Sequence, residues 1–215
     1  MVKAYAGYLF DLDGTLVDTA PDINAALNHA LDIAGLDGVD EALTRHWVGH
    51  GAQVLVQQAL LHQRGPEDAL AEVQRGFIEY YEAHIADQSA PYPHVVESLE
   101  ALRDRGARLA VVTNKRTRLS VPLLEALDLT ALFHAIVCGD TATRPKPAAD
   151  PALHACDALG LGVAEVLFVG DSETDVACAR AAGCAVVCVP DGYNHGVPAH
   201  ELGADAVIDS LRDLV

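Results

Sequence analysis

Apolar residues recur along this chain with two different spacings, which divide it into two regions. From residue 107 onward, short apolar runs typical of buried strands alternate with stretches that have the 3.6-residue period of helices. The predicted strands cover residues 109–112, 135–138, 166–169, 185–189 and 206–208, and helices are expected after residue 113, over 151–159 and over 174–182. Such alternation is typical of βαβ units, so we expect an α/β fold with a Rossmann-like parallel sheet.

Residues 19–90 show only the helical spacing. Alanine, leucine, glutamate and glutamine recur there at helical intervals, with no convincing strand between them. This block indicates an inserted helical cap domain over residues 19–90, with the α/β core formed by residues 1–18 and 91–215. Pro91 and Pro93 stiffen the chain where it returns to the core. Within the core, Pro122 indicates a helix that begins near Ser120, with the proline in its first turn.

The first predicted strand ends in a pair of carboxylates. Residues 9–12 are expected to form the end of a buried strand, which Gly14 stops with a turn, so that Asp11 and Asp13 lie at its carboxyl end. Open α/β sheets bind their ligands at this edge. Two buried carboxylates are costly unless a cation or a reaction uses both charges. The pair therefore indicates a metal site and a nucleophile.

Polar side chains also follow the later strands. Thr113 and Asn114 precede a helix, where they either bind a phosphate group or only cap the helix. Lys146 lies between two prolines, in a stiff loop that suits either a fixed charge on an anion or a solvated linker. Asp171 follows an apolar strand and Asp175 lies one helical turn beyond it; either alone is typical of a helix cap. Helix capping explains any one of these polar groups, but it explains less well why several strand ends all carry them.

Charge and composition narrow the classes of partner. The 215 residues include 31 acidic and 14 basic side chains, a formal charge of −17, and nucleic-acid binding is not expected because it needs clustered Lys and Arg. A hydrophobic content of 51% allows a sizeable core. No apolar run approaches the ~18–20 residues that span a bilayer, and no signal peptide is evident. We therefore expect a cytoplasmic protein with no membrane partner.

The cysteines are expected to be reduced thiols that fill small spaces in the core. They are odd in number, several lie in apolar segments, and they form no Cys-x-x-Cys pair of the kind that binds metal. They are Cys138, Cys156, Cys178, Cys184 and Cys188.

Taken in order, these motifs resemble the haloacid dehalogenase-like superfamily. The order is Asp-Leu-Asp-Gly-Thr from residue 11, Thr-Asn at 113, Lys-Pro at 146 and Gly-Asp-Ser-x-x-Asp from residue 170. The resemblance spans nearly the whole chain. Within the superfamily, the second aspartate, Asp13, is typical of the phosphatase branch and is lacking in the dehalogenase branch.

The resemblance implies chemistry at the acidic residues. Asp11 is the expected nucleophile and carries an aspartyl-phosphate intermediate, while Asp13 serves as general acid and then general base. Mg²⁺ is the implied cofactor, bound by the Asp11 carboxylate, the Asp13 backbone carbonyl and Asp171. Asp175 is expected to support that shell directly or through water.

The resemblance also implies a phosphate site. Thr113, the Asn114 backbone and Lys146 are expected to bind the oxygens of the transferring phosphoryl group, whose negative charge must be neutralised. Lys146 is further expected to restrain Asp11 electrostatically.

Two stretches are similar to bacterial phosphoglycolate phosphatases within the superfamily. They are residues 45–52, Arg-His-Trp-Val-Gly-His-Gly-Ala, and residues 191–196, Asp-Gly-Tyr-Asn-His-Gly, in which the aspartate stands where an aromatic residue is common. The resemblance implies 2-phosphoglycolate as the substrate, selected by the cap. Gly49 and Gly51 allow the backbone to approach the substrate closely. Arg45 and His50 are candidates for the glycolate carboxylate, although Arg45 is equally typical of a cation on a helix surface.

Three alternatives stay open at this point. The same chemistry suits another small phosphorylated metabolite, such as a sugar phosphate, a muramate phosphate or pyrophosphate. A phosphoglucomutase-like phosphotransferase and a non-catalytic binding protein on the same fold are the others. The sequence is compatible with a monomer or a homodimer.

Overall fold

A parallel sheet of six strands forms the centre of the molecule. The computed structural model describes residues 3–215 apart from the side chain of Glu67, so residues 1 and 2 of the predicted core lie outside it. The strands in the described chain are β1 (Gly7–Phe10), β2 (Val17–Asp18), β3 (Ala90–Pro91), β4 (Arg108–Val112), β5 (Ala135–Val137), β6 (Val166–Gly170), β7 (Ala185–Cys188) and β8 (Ala206–Val207). The six-stranded sheet has the order β5-β4-β1-β6-β7-β8. The α/β prediction is therefore confirmed.

β1 occupies the middle of the sheet because its residues are apolar on both faces. It pairs in parallel with β4 on one side and β6 on the other, so that Leu9 lies between Ala110 and Phe168. All three of these side chains are fully buried. A parallel strand covered by helices on both faces has this continuous apolar run in place of alternation.

Helices cover the sheet on both faces and also form a separate group before β3. They are α1 (Ala20–Ile33), α2 (Glu41–Trp47), α3 (Ala52–Gln63), α4 (Leu70–Ala83), α5 (Val95–Asp104), α6 (Thr117–Ala126), α7 (Asp150–Leu159) and α8 (Glu173–Ala182). Leu99 of α5 and Leu123 of α6 pack in one cluster with Phe10, whereas Ala155 of α7 and Ala179 of α8 pack on the other face of the sheet. The central strands are thus sealed from water on both sides.

Helices α1–α4 pack around an apolar cluster that Leu119 of α6 and Tyr193 also join. Leu27 of α1, Leu55 of α3 and Phe77 of α4 are buried together, around residues such as Trp47. At the base of this group β2 pairs antiparallel with β3, which the sequence did not predict. Strands of two residues are too short to produce a period in the sequence.

Two predicted boundaries differ from the structure. β1 ends at Phe10, two residues before the expected end, because the chain turns there and the Leu12 carbonyl accepts hydrogen bonds from the backbone N–H groups of Leu16 and Val17. Helix α6 begins at Thr117 and contains Pro122 in its interior, so the prediction of a start near Ser120 was wrong.

The early start of α6 has a tertiary cause. Asp140, in the loop after β5, accepts hydrogen bonds from the Thr117 backbone N–H at 2.9 Å and from its hydroxyl at 2.7 Å. The first of these bonds satisfies a backbone N–H group of the first helical turn. No side chain of the residue before the helix accepts a capping hydrogen bond there.

The five cysteines are free thiols and all are buried, as the sequence predicted. Over residues 3–215, the structure contains no helix whose length and apolar character would suffice to cross a bilayer.

A buried carboxylate joins the start of the helical group to its end. Asp22, in the first turn of α1, is 2% exposed and accepts hydrogen bonds from the backbone N–H of Gln88 and of Ser89 and from the Ser89 hydroxyl, at 2.6–3.0 Å. A carboxylate that accepts several N–H donors offsets the cost of its own burial. This contact joins the first turn of α1 to the residues just before β3.

We expect Asp22→Asn to lower the free energy of unfolding by about 1–3 kcal/mol, because an amide cannot accept all of these bonds and leaves buried donors unpaired. Urea denaturation followed by circular dichroism measures the change. Asp32→Asn, on an exposed position of the same helix, is the matched control and should stay within about 0.5 kcal/mol of the wild type. Equal stability of the two variants would contradict the role assigned to Asp22.

Candidate active site

The loop after β1 brings two aspartates to the carboxyl edge of the sheet. Leu12 between them is fully buried, which turns Asp11 and Asp13 toward the same end of the strand. Gly14 follows with φ of +87°, and a Cβ there would lie 2.6 Å from Asp171 Oδ2. Glycine is therefore required both by the backbone conformation and by the close approach of Asp171.

Three buried carboxylates meet at this edge. One oxygen each of Asp11, Asp171 and Asp175 lies within 4.8 Å of the others, and all three residues are buried. Like charges at this separation repel strongly, and one ammonium, that of Lys146, offsets them in part. An all-oxygen donor set with surplus negative charge fits a hard divalent cation. The sequence predicted this set of residues, and the structure brings them together.

The pKa values of two carboxyls in this cluster are raised, by burial first and by the neighbouring carboxylates second. Burial raises the pKa of Asp11 to about 7, aided by the charge of Asp175 and opposed by Lys146. Burial and the charges of Asp175 and Asp11 likewise raise the pKa of Asp171 well above its usual range. A bound cation would stabilise the ionised forms, because opposite charge favours them.

Lys146 is the centre of the cluster. It is 4% exposed, and its Nζ lies 2.8 Å from Asp11 Oδ1 and 2.7 Å from Asp175 Oδ1 and donates to the Val112 carbonyl. Burial by itself lowers the pKa of a lysine, but the charges of Asp11 and Asp175 raise that of Lys146 above its ordinary value. All three donors of the ammonium are therefore used, and its position is fixed.

The other oxygens of the cluster are held by neighbours that lie within the quoted motifs but to which the sequence analysis assigned no role. Asp171 accepts from the Thr15 hydroxyl and from the Tyr193 backbone N–H, each at 2.6 Å. Asp175 Oδ2 accepts from the backbone N–H of Asp171 and from the backbone N–H and hydroxyl of Ser172, which begins α8. Because both Asp175 oxygens already have partners, Asp175 supports the cluster more than it faces the open side.

Asp13 lies apart from this cluster and has partners of its own. Its Oδ1 accepts from the Thr19 hydroxyl at 2.8 Å, and Lys115 Nζ lies 2.9 Å from Oδ1 and 3.2 Å from Oδ2. Lys115 stood beside the predicted Thr-Asn motif, but its contact with Asp13 crosses 102 residues of sequence and had no local signal.

Thr113 and Asn114 lie where the sequence placed them, after β4. The buried Thr113 hydroxyl accepts from the Lys115 backbone N–H. The Asn114 amide donates to the carbonyl of Gly49 at 3.1 Å and to the carbonyl of Lys146 at 3.0 Å. Asn114 thus links the loop before α3 to the core, a contact that helix capping does not require.

A cavity of about 330 Å³ lies between the strand ends and helices α1, α3 and α4. Its core side includes Asp11, Asp13, Thr113, Asn114, Lys115 and Lys146, and its helical side includes Val48, Gly49, His50, Gly51, Phe77 and Tyr81. Of the charged cluster, Asp11 and Lys146 therefore face this cavity, which is bounded by both parts of the chain.

Arg45 is absent from the residues that line this cavity. Its guanidinium lies 2.7 Å from Asp18 Oδ2 and 2.7 Å from Glu41 Oε1. The structure therefore places Arg45 in ion pairs outside the cavity wall, and its role toward a substrate carboxylate stays a prediction. Asp18 is 27 residues away in sequence, so the pairing was not visible in the local pattern.

His50 does line the cavity, in contact with the core. Its ring stacks on that of His195 with centroids 4.8 Å apart and an angle of 7° between the planes. Partial burial and the neighbouring His195 lower the pKa of His50. A neutral imidazole can donate a hydrogen bond to a ligand but adds no positive charge at neutral pH.

The hydroxyl of Tyr193 holds the start of α1. It accepts from the backbone N–H groups of Thr19 and Ala20 at 2.8 and 2.9 Å and donates to Asp18 Oδ1 at 2.7 Å. Since its own backbone N–H donates to Asp171, Tyr193 connects the carboxylate cluster to the junction at which the helical group begins. The sequence pointed to this stretch only through its resemblance to relatives.

Known proteins resemble this chain over nearly its full length. The family model for haloacid dehalogenase-like hydrolases matches residues 8–189. A phosphoglycolate phosphatase of Chromobacterium violaceum is 43% identical over 99% of this chain and 95% of its own length, and one of Escherichia coli is 36% identical over 97% and 90%. The crystal structure of a predicted phosphoglycolate phosphatase from Haemophilus somnus superposes with a TM-score of 0.92 at 36% identity, covering 100% of this chain and 98% of that one.

We expect Asp18→Asn to destabilise the protein at neutral pH by up to about 1 kcal/mol, since the pair with Arg45 is partly exposed. Burial raises the pKa of Asp18, but hydrogen bonds from Arg45 and Tyr193 and the charge of Arg45 outweigh it and lower that pKa. The contribution is therefore complete above the ordinary aspartate pKa of about 3.9 and is lost as the pH falls through the lower, folded value.

Thermal unfolding of the wild type and of Asp18→Asn between pH 7 and pH 3 tests this expectation. The difference in Tm should hold down to about pH 5 and then shrink. Asp37→Asn removes an exposed carboxylate that has no ion pair in the described structure and is the matched control. A difference that stays constant to the lowest pH would show that the charge of Asp18 is not what stabilises the junction.

Proposed function

Because the chain belongs to the haloacid dehalogenase-like hydrolase family, we propose that it hydrolyses phosphate monoesters and that 2-phosphoglycolate is its substrate. One observation carries the proposal: Asp11, Asp171, Asp175 and Lys146 form a buried charged cluster, of which Asp11 and Lys146 line a cavity at the strand ends. The choice of substrate is supported by the relatives named above, which are phosphoglycolate phosphatases at 36–43% identity over nearly the whole chain.

The reaction divides between the two aspartates of the first loop. In the first half, an Asp11 oxygen forms a bond to phosphorus while the bond from phosphorus to the glycolate oxygen breaks, and Asp13 gives that oxygen a proton. In the second half, Asp13 takes a proton from water, whose oxygen attacks phosphorus and releases phosphate from Asp11. Lys146 and the Leu12 backbone N–H, which donates to Asp11 at 2.7 Å, hold the nucleophile in place.

The carboxylate cluster fits Mg²⁺ as the cofactor. Asp11, Asp171 and the Asp13 backbone carbonyl would hold the ion, with Asp175 behind them. When bound, the ion neutralises negative charge, so that a phosphate dianion can approach a carboxylate.

Oxygens of the transferring phosphoryl group would be bound by Thr113, by the backbone of Asn114 and by Lys146. Thr113 and Lys146 are buried at the carboxyl ends of the strands, where a hydroxyl and an ammonium act on an anion with little screening by water. The Asn114 side-chain amide donates to the Gly49 and Lys146 carbonyls and so links the loop before α3 to the loop that carries Lys146.

Residues 19–90 would act as a cap over the site, with the α/β core formed by residues 1–18 and 91–215. The separate apolar cluster of α1–α4 and the β2–β3 pair at their base support this division. Gly49, His50 and Gly51 of the cap line the cavity and would contact the glycolate end of the substrate. Arg45 would act instead at the junction, through Asp18.

Phosphate release from a substrate panel tests the proposal. We expect kcat/KM for 2-phosphoglycolate to exceed that for glucose 6-phosphate, muramate 6-phosphate and pyrophosphate by about tenfold or more, which corresponds to about 1.4 kcal/mol of transition-state discrimination. Asp11→Asn should abolish turnover because an amide is not a nucleophile here. A different leading substrate would leave the phosphatase chemistry intact and overturn the assignment of phosphoglycolate; transfer of phosphate between substrates without net release would indicate a phosphotransferase.

Removal of Asp171 tests the cation site separately. We expect chelation to stop turnover and Asp171→Asn to raise the Mg²⁺ concentration for half-maximal rate by about tenfold or more, because one ligand and one charge are lost. Calorimetric titration with Mg²⁺ gives the same comparison without substrate. Asp157→Asn, exposed on α7, is the control; an unchanged Mg²⁺ requirement in Asp171→Asn would contradict the assignment.

A further inference from the structure

Lys115 is a buried cation that the proposed reaction leaves without a role. The chain has three lysines, and two of them, Lys115 and Lys146, are buried beside the cavity. Lys146 lies within the carboxylate cluster. Lys115 pairs instead with Asp13, its one carboxylate partner in the described part of the chain. Burying an ammonium is unfavourable unless its partner and hydrogen bonds compensate for lost hydration, so this pair is a costly feature of the core.

Asp13 is held from two directions. The Lys115 ammonium lies 2.9 and 3.2 Å from its two oxygens, and the Thr19 hydroxyl donates to Oδ1 at 2.8 Å. Thr19 immediately precedes α1, and Lys115 follows β4, so the anchors come from opposite sides of the loop. An acid–base group must lie within hydrogen-bond reach of the proton that it moves, and two anchors limit the positions that Asp13 can take.

The helical group covers this pair. Tyr81 of α4 is 1% exposed, and its ring centroid lies 4.7 Å from Lys115 Nζ. An ammonium over an aromatic face is attracted to the ring, and the ring also excludes water from it. The contact between Lys115 and Asp13 is therefore strongest when α4 lies against the core, because exclusion of water strengthens a charge pair.

We propose that Lys115 is a positioning residue that holds Asp13 for the attack of water, with the Tyr81 ring covering the pair. This inference rests on the proposed function, in which Asp11 carries the phosphoryl group. In the step concerned, the water oxygen bonds to phosphorus, the bond from phosphorus to the Asp11 oxygen breaks, and Asp13 receives the proton of the water. A displaced Asp13 slows this step.

Kinetics with p-nitrophenyl phosphate isolate the step. p-Nitrophenolate leaves without a proton, so formation of the phosphoenzyme does not depend on Asp13, whereas its hydrolysis does. We expect Lys115→Met to lower kcat by about 10- to 100-fold while kcat/KM changes by less than about threefold. Stopped-flow traces should then show a burst of p-nitrophenolate close to one per enzyme.

Conservative variants of Lys115 distinguish a loss of Asp13 positioning from a loss of folding. Lys115→Arg restores a charged donor and should recover part of kcat, whereas Lys115→Gln keeps a donor without the charge and should recover less. Lys3→Met, the same change at an exposed lysine, is the matched control. Circular dichroism checks the fold; if Lys115→Met does not fold, the comparison of Lys115→Arg with Lys115→Gln decides the question.

Tyr81 offers a second test in the helical group. Tyr81→Leu removes the ring above the ammonium and should lower kcat in the same way as Lys115→Met but less strongly. Tyr81→Phe keeps the ring and should lie closer to the wild type than Tyr81→Leu. Equal effects of the two changes would contradict the covering role of the ring.

Two results would overturn the proposal. One is an unchanged kcat without a burst in Lys115→Met. The other is a raised KM for 2-phosphoglycolate with normal kcat, which would make Lys115 a ligand of the substrate. Neither result would affect the proposed phosphatase activity, which fails if the wild type releases no phosphate from any ester or if Asp11→Asn stays active.

Discussion

The buried ammonium of Lys146 holds the carboxylate cluster together. Asp11 follows strand β1, Asp175 lies in the first turn of α8, and both lie within 4.8 Å of each other and of Asp171, where like charges oppose folding. Lys146 is bonded to two of these carboxylates and to the end of β4 through the Val112 carbonyl. One side chain thereby joins the loop after β1, helix α8 and the end of β4, and it leaves a deficit of positive charge, which a divalent cation can supply.

The sheet order explains why residues far apart in sequence share this site. β1 lies between β4 and β6, and all three run in the same direction, so their carboxyl ends meet at one edge. Loops after these strands carry Asp11, Thr113, Asn114 and Asp171, which are the proposed nucleophile, phosphate-binding groups and cation ligand. A parallel sheet places ligand groups in this way whatever the chemistry, and the identity of the side chains determines which reaction results.

Contacts between the helical group and the core converge on the same residues. Tyr193 donates its backbone N–H to Asp171 and uses its hydroxyl to hold the start of α1. Asn114 reaches the Gly49 carbonyl, and Lys115 lies under the Tyr81 ring. The residues proposed to position the reacting atoms therefore also contact helices α1–α4 or the segments between them, so that a movement of these helices would change the setting of Asp13.

The sequence by itself determined the parallel α/β architecture, the helical block and the acidic residues of the cluster. Apolar runs such as that before Asp171 have the period and length of buried strands, and a polar residue directly after such a run lies at the carboxyl edge of the sheet. Only the tertiary structure decided the partners. Arg45 pairs with Asp18 outside the cavity, Asp140 starts α6 before Pro122, and Lys115 reaches Asp13, because each of these contacts joins residues 23 to 102 positions apart. The local sequence pattern predicts which face of a helix or strand is buried. It does not predict which charged residue, distant in sequence, packs against that face.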